Sequence, residues 1–503
     1  MIIILIKASF KNQTIKMKEI LQVKPTTADL LVGLILACSV TSTALAEENI
    51  GFGANTNIYA NPSAHQEERV DVDTNNQDSQ DWSIHLQTTH IEQRKNNFYS
   101  PYSSINSAKG NTSLLSRSEG DTDRSFTFTT TAFLGTRLWR GAEFYYNPEL
   151  FEGTPFSGAL VGLGGFQNGE LQKGTFIPAI TYNARAFIRQ TIGFGGGDEY
   201  IPEGTVNQLA GTVDKNRLVL TWGKVASLDF FDMNEYSHDP RIHFMNFSVF
   251  SMAAYGYAAD SRGYTFGFVG ELFRDDWTFK AARLAAPTIP NQLEIDNTLT
   301  KDYVDQFEIT HKHRVGDQVG AIRGLIFKQQ AYMSTYQDAI AYAQNNLGSG
   351  APNIYNTRKM NTMFGYGLNA EQSVNSALGV FTRWSWNNNQ TETNTLDVGR
   401  SAAAGMILKG ILWDRKDDTY GLAWAANAIS SSEISYLQLG GQTMFIGDGA
   451  LQYKPEQIFE TYYSAKLYKE LFLTADFQKI TNPAYNSARG PINVISVRLH
   501  FEL

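Results

Sequence analysis

The sequence predicts an all-β protein, a transmembrane antiparallel β-barrel of about sixteen strands. Two observations predict this fold: the composition, and the alternation of apolar and polar residues from Trp82 to the C-terminus. Aromatic residues make up 13% of the chain and charged residues only 18%, whereas soluble domains usually carry about 25% charged residues. Glycine is abundant at 42 residues and proline is scarce at 14. A membrane barrel, with aromatic girdles and many turns between short strands, has this kind of composition.

The first residues have the layout of an export signal. A basic stretch (16–24) precedes an apolar run (30–45), and a triplet of small and apolar residues ends at Ala46, as in a secretory signal with its cleavage site. We expect residues 1–46 to be a signal peptide, with Met17 as an alternative start. The apolar run is short for a helix that must span about 30 Å of hydrocarbon.

The only cysteine, Cys38, allows a second interpretation of this region as a lipoprotein signal that ends at Cys38. Leu36 is bulkier than such sites usually accept, and the Ala-Leu-Ala triplet lies just downstream. After cleavage at Ala46 the mature chain has no cysteine, which excludes thiol catalysts and cysteine-ligated metal sites. Exported soluble proteins often carry disulfides, and their absence suits a sheet closed by hydrogen bonds.

The rest of the chain divides into two parts. Residues 47–81 are polar and acidic, and we expect them to be a flexible lead-in segment before a barrel domain over 82–503. No apolar run of about 18 residues follows the signal, so no transmembrane helix is predicted. The net charge of −8 offers no basic field to phosphates, so nucleic acid is not expected as a partner.

The last segment shows the strand pattern most clearly. Apolar residues at the odd positions from Ile495 to Leu503 alternate with Ser496, Arg498, His500 and Glu502. Because successive side chains of a strand project to opposite faces, one face is apolar and the other polar. In a barrel the apolar face meets lipid and the polar face lines water.

Sixteen segments carry strand patterns of this kind, an even number as bacterial single-chain barrels require. They are 83–93, 125–136, 139–150, 182–193, 215–225, 263–272, 276–286, 303–313, 318–330, 358–370, 374–386, 398–411, 416–430, 456–468, 470–480 and 491–502. Short links such as 468–470 alternate with long ones such as 431–455, as expected for periplasmic turns and extracellular loops. Sixteen strands enclose an aqueous lumen, whereas about eight are filled by side chains, so the strand count predicts a channel.

Several segments carry a more specific signal. They are LGTRLWRGAEFYYNPELFEG (134–153), GFQNGELQKG (165–174), NARAFIRQ (183–190), DFFDMNEYSHDPRIHFMN (229–246), ADSRGYTFG (259–267) and NPAYNSARGPINVISVRLHFEL (482–503). In this order and combination, across about 82–503, they resemble the carbohydrate-selective (OprB-like) outer-membrane porin family. One departure is the last residue: such barrels usually end in Phe, which the insertion machinery reads, and this chain ends in Leu503.

The resemblance implies an outer-membrane porin of a Gram-negative bacterium that passes mono- or small oligosaccharides down their gradient. It also implies a barrel able to act as a monomer, surrounded by outer-membrane lipid and lipopolysaccharide and inserted by the outer-membrane assembly machinery. No cofactor, catalytic residue or metal site is expected. The alternatives are a general or non-sugar solute porin and, from another class, a secreted all-β carbohydrate-active enzyme or lectin.

Charged and aromatic residues crowd into 229–243, which we predict to be a constriction loop folded into the lumen. Pore selectivity arises at narrow places lined by charges and hydrogen-bonding groups. Carboxylates and arginines can bind sugar hydroxyls, and aromatic faces can stack on a sugar ring. The candidate residues are Asp229, Phe230, Phe231, Asp232, Glu235, Tyr236, His238, Asp239 and Arg241. The alternative is a surface loop held by its own ion pairs.

Charged residues on strands provide further lumen candidates. Arg185 and Arg189 share one face of the segment 182–193, and we place them on the wall opposite the loop. A charge that faces lipid at mid-depth costs about 2–4 kcal/mol, which directs both arginines inward. The same argument directs Arg383 and Arg498 inward, and Asp476 lies on the polar face of its strand. The alternative is that these groups only solvate the lumen wall and pair with carboxylates.

Two other patterns predict no site. His311 and His313 share a strand face but have no third ligand beside them, as a zinc site would require. The glycines of 193–197 lack the Lys-Ser/Thr and the helix that follow a phosphate-binding loop. The chain also has no Gly-x-Ser-x-Gly motif of a serine hydrolase.

Overall fold

The computed structural model describes residues 80–100, 113–117, 123–174, 176–201, 205–346, 348, 350–449 and 451–503. The predicted signal peptide (1–46) and nearly all of the predicted lead-in segment (47–81) lie outside these residues. The described residues include every segment that the sequence predicted to be a strand.

Sixteen strands form one closed antiparallel barrel. They are β1 (Trp82–Lys95), β2 (Arg124–Trp139), β3 (Ala142–Thr154), β4 (Phe176–Gly193), β7 (Arg217–Val225), β8 (Thr265–Arg274), β9 (Trp277–Ala285), β10 (Tyr303–Val315), β11 (Gln318–Met333), β12 (Lys359–Ser373), β13 (Leu378–Asn387), β14 (Arg400–Lys409), β15 (Thr419–Ala428), β16 (Glu456–Tyr468), β17 (Leu471–Thr481) and β18 (Ile492–Glu502). Each barrel strand pairs with the next barrel strand along the chain, and β1 pairs with β18 from Gln87–Glu502 to Lys95–Val494. Closure leaves no sheet edge whose N–H and C=O groups would be unpaired in hydrocarbon.

The remaining elements lie in the connections. A separate two-stranded hairpin, β5 (Asp198–Ile201) and β6 (Gly211–Asp214), lies between β4 and β7. The helices are α1 (Phe247–Phe250), α2 (Tyr336–Asn345) and α3 (Ser431–Gln438), and the 3-10 turns are Phe156–Gly158, Gly169–Lys173, Ser227–Asp229, Ile354–Asn356, Gly410–Trp413 and Pro483–Tyr485. Within the described residues, none of the helices is long and apolar enough to cross a membrane.

The predicted strand count and the predicted fold are confirmed. Each of the sixteen predicted segments covers most of a different barrel strand, and 456–468 coincides with β16. The largest boundary error is at β4, which begins at Phe176 rather than at 182, where Pro148 and a register shift disturb its pairing with β3. The hairpin β5–β6 and the three helices were not predicted. They are short elements whose positions depend on the packing of the loops.

The two ends of the barrel differ in the length of their connections. Two-residue turns such as 275–276, 316–317 and 469–470 lie at the end where β1 begins, and long loops lie at the other end. This asymmetry assigns the short-turn end to the periplasm. Large outward-facing aromatic residues stand at that end, including Trp82 and Tyr468, which are 64% and 65% exposed. Such aromatic side chains mark the membrane interface of barrels.

The apolar core of the protein lies inside the barrel. The loop 226–264, between β7 and β8, enters the lumen and packs its apolar residues against inward-facing residues of the wall. The ring of Phe244 lies 5.6 Å from that of Phe381 on β13 and 5.0 Å from that of Tyr462 on β16. The inward-folded loop that the sequence predicted is therefore present, and it occupies one side of the lumen.

Candidate pore constriction

Two arginines of the wall attach the loop 226–264 to the far side of the lumen. Arg383 of β13 donates from Nε to Asp232 Oδ1 at 2.9 Å and from Nη1 to the Val249 carbonyl at 3.1 Å. Arg498 of β18 donates to the carbonyls of Pro240 and His243, both at 2.7 Å. These bonds join strands to loop residues that are far apart in the chain, so they decide where the loop lies.

Carboxylates of the wall bind the same loop. Glu460 of β16 accepts from the backbone N–H of Asn246 at 3.2 Å, and Glu308 of β10 accepts from the N–H of Asp232 at 2.8 Å. Both carboxylates are fully buried. Buried carboxylates require hydrogen-bond donors, and the loop backbone supplies them. The loop is thus attached to β10, β13, β16 and β18.

The three lumen-facing candidates on β13, β17 and β18 face inward and are buried. Arg383, Arg498 and Asp476 are 2%, 1% and 4% exposed. Asp476 accepts from Ser496 Oγ at 3.1 Å. Their burial favours the alternative that they hold protein groups rather than solute.

A cavity of about 320 Å³ remains between the loop and the uncovered wall. Seven of the eleven predicted constriction residues line it: Arg185, Arg189, Asp229, Phe230, Glu235, Asp239 and Arg241. The loop supplies five of them and β4 supplies the two arginines. The structure therefore brings together, around one space, residues that lie on two separate segments of the chain.

Arg185 of β4 and Asp229 of the loop form a bidentate ion pair. Arg185 Nε donates to Asp229 Oδ2 and Nη2 donates to Oδ1, both at 2.6 Å. The guanidinium also lies 5.3 Å from the ring centre of Tyr264. Planar, bidentate contacts of this kind hold both side chains in one geometry. The prediction placed Arg185 opposite the loop, whereas the two are in direct contact.

Arg241 belongs to a buried network of charges on β3 and the loop 155–175. Its Nη2 donates to Glu149 Oε2 at 3.1 Å, and its Nε lies 3.2 Å from Glu170 Oε1. Lys173 Nζ donates to Glu170 Oε2 at 2.7 Å. Burial opposes the charge of Arg241, yet Glu170 and Glu149 raise the pKa of Arg241 well above its usual value. Arg241 therefore stays charged where it meets the cavity.

Arg189 is the more accessible of the two β4 arginines. Its side chain is 20% exposed, and its closest carboxylate oxygen, on Glu143, is 4.0 Å away. The guanidinium lies 5.1 Å from the ring centre of Tyr145, and Nη1 donates to the carbonyl of Asn207 at 2.8 Å. This arrangement leaves N–H groups of Arg189 available to a solute in the cavity.

The other four predicted residues do not line the cavity but lie in the body of the loop. Phe231 and Asp232 are fully buried, and His238 is 6% exposed. Burial, with Arg383 nearby, lowers the pKa of His238 to about 3, so the imidazole is neutral. Tyr236 packs so closely on β13 that a Cβ added at Gly379 would lie 2.2 Å from Tyr236 Cε1. The sequence pattern predicted these four as pore residues, and their packing gives them a place in the loop interior.

The floor of the cavity is a part of the site that the sequence did not predict. Residues 205–213, between the two strands of the hairpin and at the start of β6, line the cavity from the periplasmic side. The Asn147 and Asn207 amides exchange hydrogen bonds of 2.8 and 3.0 Å, and Leu209 N–H donates to Tyr145 Oη at 3.1 Å. Asn207 has a φ of 56°, a conformation that asparagine tolerates. No pattern in the sequence of 194–216 indicated an inward fold.

Charged side chains of the wall were also missed, although a signal for them existed. They are Glu143, Arg217, Glu271, Lys280, Lys312, Arg323 and Glu371. Each lies on an observed barrel strand and lines the lumen, so the lipid-cost argument applied to Arg185 would have found them.

Most of these wall charges have a partner of opposite sign. Arg323 Nη2 lies 2.8 Å from Glu371 Oε1, and Arg217 Nη1 lies 2.6 Å from Glu199 Oε2 of the hairpin. On the loop, burial and then Glu371 raise the pKa of Glu235 to about 7. The cavity therefore presents many donors and acceptors whose charges largely cancel.

The solved structures that resemble this barrel include several porins. Pseudomonas putida OprB at high pH matches with a TM-score of 0.61 and 13% identity, over 84% of this chain and 94% of that one. The outer-membrane channel DcaP of Acinetobacter baumannii matches with a TM-score of 0.44 and 9% identity, over 84% and 97%. A mutant of the Rh. blastica porin matches with 0.41 and 8%, over 84% and 100%. The first of these shows the same fold.

Sequence comparison identifies the family. No curated protein matches the chain. The family described as carbohydrate-selective porin, OprB family, matches residues 117–503, which include fifteen of the sixteen barrel strands, the loop 226–264 and the cavity floor. Fold and family are those of a channel rather than an enzyme. The chain therefore belongs to the OprB family of carbohydrate-selective porins, and it is an outer-membrane channel for carbohydrates.

Proposed function

We propose that this channel passes neutral mono- and small oligosaccharides by facilitated diffusion, and that the 320 Å³ cavity is where the solute is selected. The observation that carries the proposal is the lining of the cavity, in which paired charges provide donors and acceptors beside aromatic rings. The transport step has no covalent chemistry and needs no cofactor.

The polar groups suit a polyol. A sugar hydroxyl both donates and accepts, so it can bind a guanidinium N–H and a carboxylate oxygen at the same time. Arg189 supplies N–H groups and Asp229 supplies carboxylate oxygens. The side chain of Asp229 is 17% exposed. Both are held by protein contacts, so a solute meets an ordered lining. Such preorganised groups replace part of the water shell that the solute loses.

The apolar part of the lining suits the other face of a sugar. Phe187 of β4 and Phe230 of the loop line the cavity next to these charges. The C–H face of a sugar ring can lie on an aromatic ring while its hydroxyls bind the neighbouring polar groups. This combination supports a carbohydrate over a simple inorganic ion.

The charge balance supports a neutral solute. Arg185, Arg217 and Arg323 each form an ion pair with a carboxylate, at 2.6, 2.6 and 2.8 Å. A lining of paired charges has little net field to attract or repel an ion over distance. Binding must also be weak, because a solute that is held tightly leaves slowly.

Single-channel recording of the refolded protein, titrated with glucose and with disaccharides, tests the proposal. We expect a current that falls saturably with sugar. Arg185→Ala combined with Arg189→Ala removes charge-assisted bonds of about 1.5–3 kcal/mol each, so sugar block should weaken at least about tenfold. Arg274→Ala is the matched control, because this exposed arginine lies at the periplasmic end of β8 on the outward face.

The outcomes separate the parts of the proposal. Unchanged conductance and unchanged block in the double variant would refute the role of the two arginines. Open channels that are indifferent to every sugar would refute the proposed solute while leaving the barrel and its family in place.

A further inference from the structure

The outer surface of the barrel has a concave apolar groove across β7 to β11. Its volume is about 850 Å³. One row of outward-facing residues forms its base, each residue paired with the next across the strands: Leu220, Gly270, Ala281, Phe307 and Ile326. The bulky members at the two ends flank the two small ones in the middle. The groove is therefore a consequence of residue size on one face of the sheet.

Glycine at position 270 is not required by the backbone or by steric crowding. A Cβ built on Gly270 would meet Leu220 Cδ2 at 3.6 Å and the Ala281 carbonyl at 3.9 Å, which are ordinary contacts. Gly223 and Gly267 on the same strands have positive φ values, and a Cβ there would lie 2.4 and 2.3 Å from backbone oxygens. Backbone conformation and crowding explain those two glycines, whereas Gly270 is explained only by its place in the groove.

A charged row lies immediately on the extracellular side of this apolar row. Its members, again paired across the strands, are Trp222, Phe268, Arg283, Asp305 and Lys328. Arg283 donates to both Asp305 carboxylate oxygens at 2.7 Å and lies 4.1 Å from the ring centre of Tyr303. Lys328 is exposed and has no ion-pair or hydrogen-bond partner for its ammonium among the residues that the structure describes. The row is thus left with one unpaired cation.

The position of Lys328 along its strand places it at head-group depth. It is the eleventh residue of β11 counted from the periplasmic end at Gln318, and a barrel strand crosses the hydrocarbon in about 9–11 residues. A lysine on the lipid face is costly at the bilayer midplane but is tolerated at little cost near the interface. An unpaired ammonium at this level faces the phosphates of the outer leaflet.

We propose that this groove and its charged row form a binding site for a phosphorylated lipid of the outer leaflet. One acyl chain lies in the groove along Gly270 and Ala281, and a head-group phosphate accepts hydrogen bonds from Lys328, while Arg283 offsets the charge of the intervening Asp305. Since lipid tails are as apolar as the groove, packing and the phosphate contact stabilise the complex rather than the hydrophobic effect.

Charge complementarity favours a lipid over a second copy of the chain. In a two-fold pairing through this face, the same surface meets itself, so the unpaired Lys328 would approach an identical row with the same excess of positive charge. A phosphate brings the opposite sign. The site involves none of the lumen residues, so it is independent of the solute that the channel carries.

Native mass spectrometry of the folded barrel, titrated with diphosphorylated lipid A, tests this site. We expect one lipid bound with preference, about tenfold weaker binding in Lys328→Gln, and recovery in Lys328→Arg. Gly270→Leu should also weaken binding, because its side chain fills the groove without a clash. Lys479→Gln is the matched control: this exposed lysine is at the extracellular end of β17, outside the groove.

Several results would contradict this binding site. Equal lipid retention by Lys328→Gln and Gly270→Leu would overturn the site, as would an equal loss in Lys479→Gln. Displacement of the lipid by inorganic phosphate alone would show an anion site without a lipid groove. Self-association that Gly270→Leu abolishes, with lipid binding unaffected, would assign the surface to a second copy. Heat-modifiable gel mobility and unchanged conductance verify that each variant is folded.

Discussion

Replacing Arg383 with methionine removes the ion pair and the guanidinium hydrogen bonds between the constriction loop and β13 while it keeps most of the side-chain volume. The guanidinium donates to Asp232 Oδ1 at 2.9 Å, to the Asp232 carbonyl at 3.2 Å, to the Val249 carbonyl at 3.1 Å and to the Ser237 carbonyl at 2.5 Å. All of these bonds are lost in Arg383→Met. The backbone pairing of β13 with β12 and β14 is unaffected, so the barrel itself should close.

The size of the effect depends on the contacts that Asp232 keeps. Asp232 stays fully buried, with Asn369 Nδ2 and the Met252 N–H as donors, both at 2.6 Å, but without its cation. Removal of one partner of a buried ion pair costs about 3–5 kcal/mol. The equilibrium for release of the loop from the wall should therefore shift toward release by about two to four powers of ten.

Hydrogen exchange and single-channel recording measure this release. Amides such as Met252 N–H should lose protection in Arg383→Met, while amides of the barrel strands keep theirs. Conductance should rise and sugar block should weaken, because the loop forms one side of the cavity.

A second substitution gives an internal check. Arg383→Met combined with Asp232→Asn removes the stranded charge and should recover part of the protection, since asparagine tolerates the positive φ of 59° at this position. Arg274→Met is the control for loss of an arginine. Equal loop protection and equal conductance in Arg383→Met and the unmodified protein would refute the reasoning.

Three further outcomes are expected. Burial and then Glu371 raise the pKa of Glu235 from 4.5 to about 7, against the lowering by Lys409 and Arg323. The folded loop therefore favours the protonated carboxyl, so the stability of the folded loop falls as pH rises from about 4.5 through 7. Cation selectivity rises over the same range, because the carboxyl becomes negatively charged. Glu235→Gln should flatten both pH profiles, and unchanged profiles would contradict this assignment. Replacement of the hairpin β5–β6 by a short turn should leave heat-modifiable mobility intact but enlarge the sugars admitted in liposome swelling, whereas an unchanged size limit would remove the hairpin from the pore. Glu149→Gln leaves Arg241 and Lys173 to share the carboxylate of Glu170, at a cost of up to about 3–5 kcal/mol, so the temperature at which the barrel unfolds in detergent should fall; no change would mean that the network is not stabilising.

The sequence determined the barrel because the evidence for it is local. Every strand repeats with period two, and the cost of a charge in lipid fixes which face is inward. That reasoning placed Arg185, Arg189, Arg383 and Arg498 in the lumen, and the structure has all four there. The alternation of short turns and long loops likewise depends only on where strands begin and end. The predicted inward loop was correct as well.

Only the tertiary structure decided which inward residues meet the pore. By strand parity Arg189 and Arg383 are equivalent, yet the side chain of Arg189 is 20% exposed at the cavity and that of Arg383 is 1% exposed under the loop. The difference comes from contacts between distant segments: Arg383 and Asp232 are 151 positions apart, and Arg498 and Pro240 are 258 apart. A period of two specifies the direction of a side chain but carries no information about what covers it. Burial and ion pairing across the whole barrel determine which part of the wall the loop packs against. For that reason four predicted pore residues lie in the body of the loop rather than at the cavity.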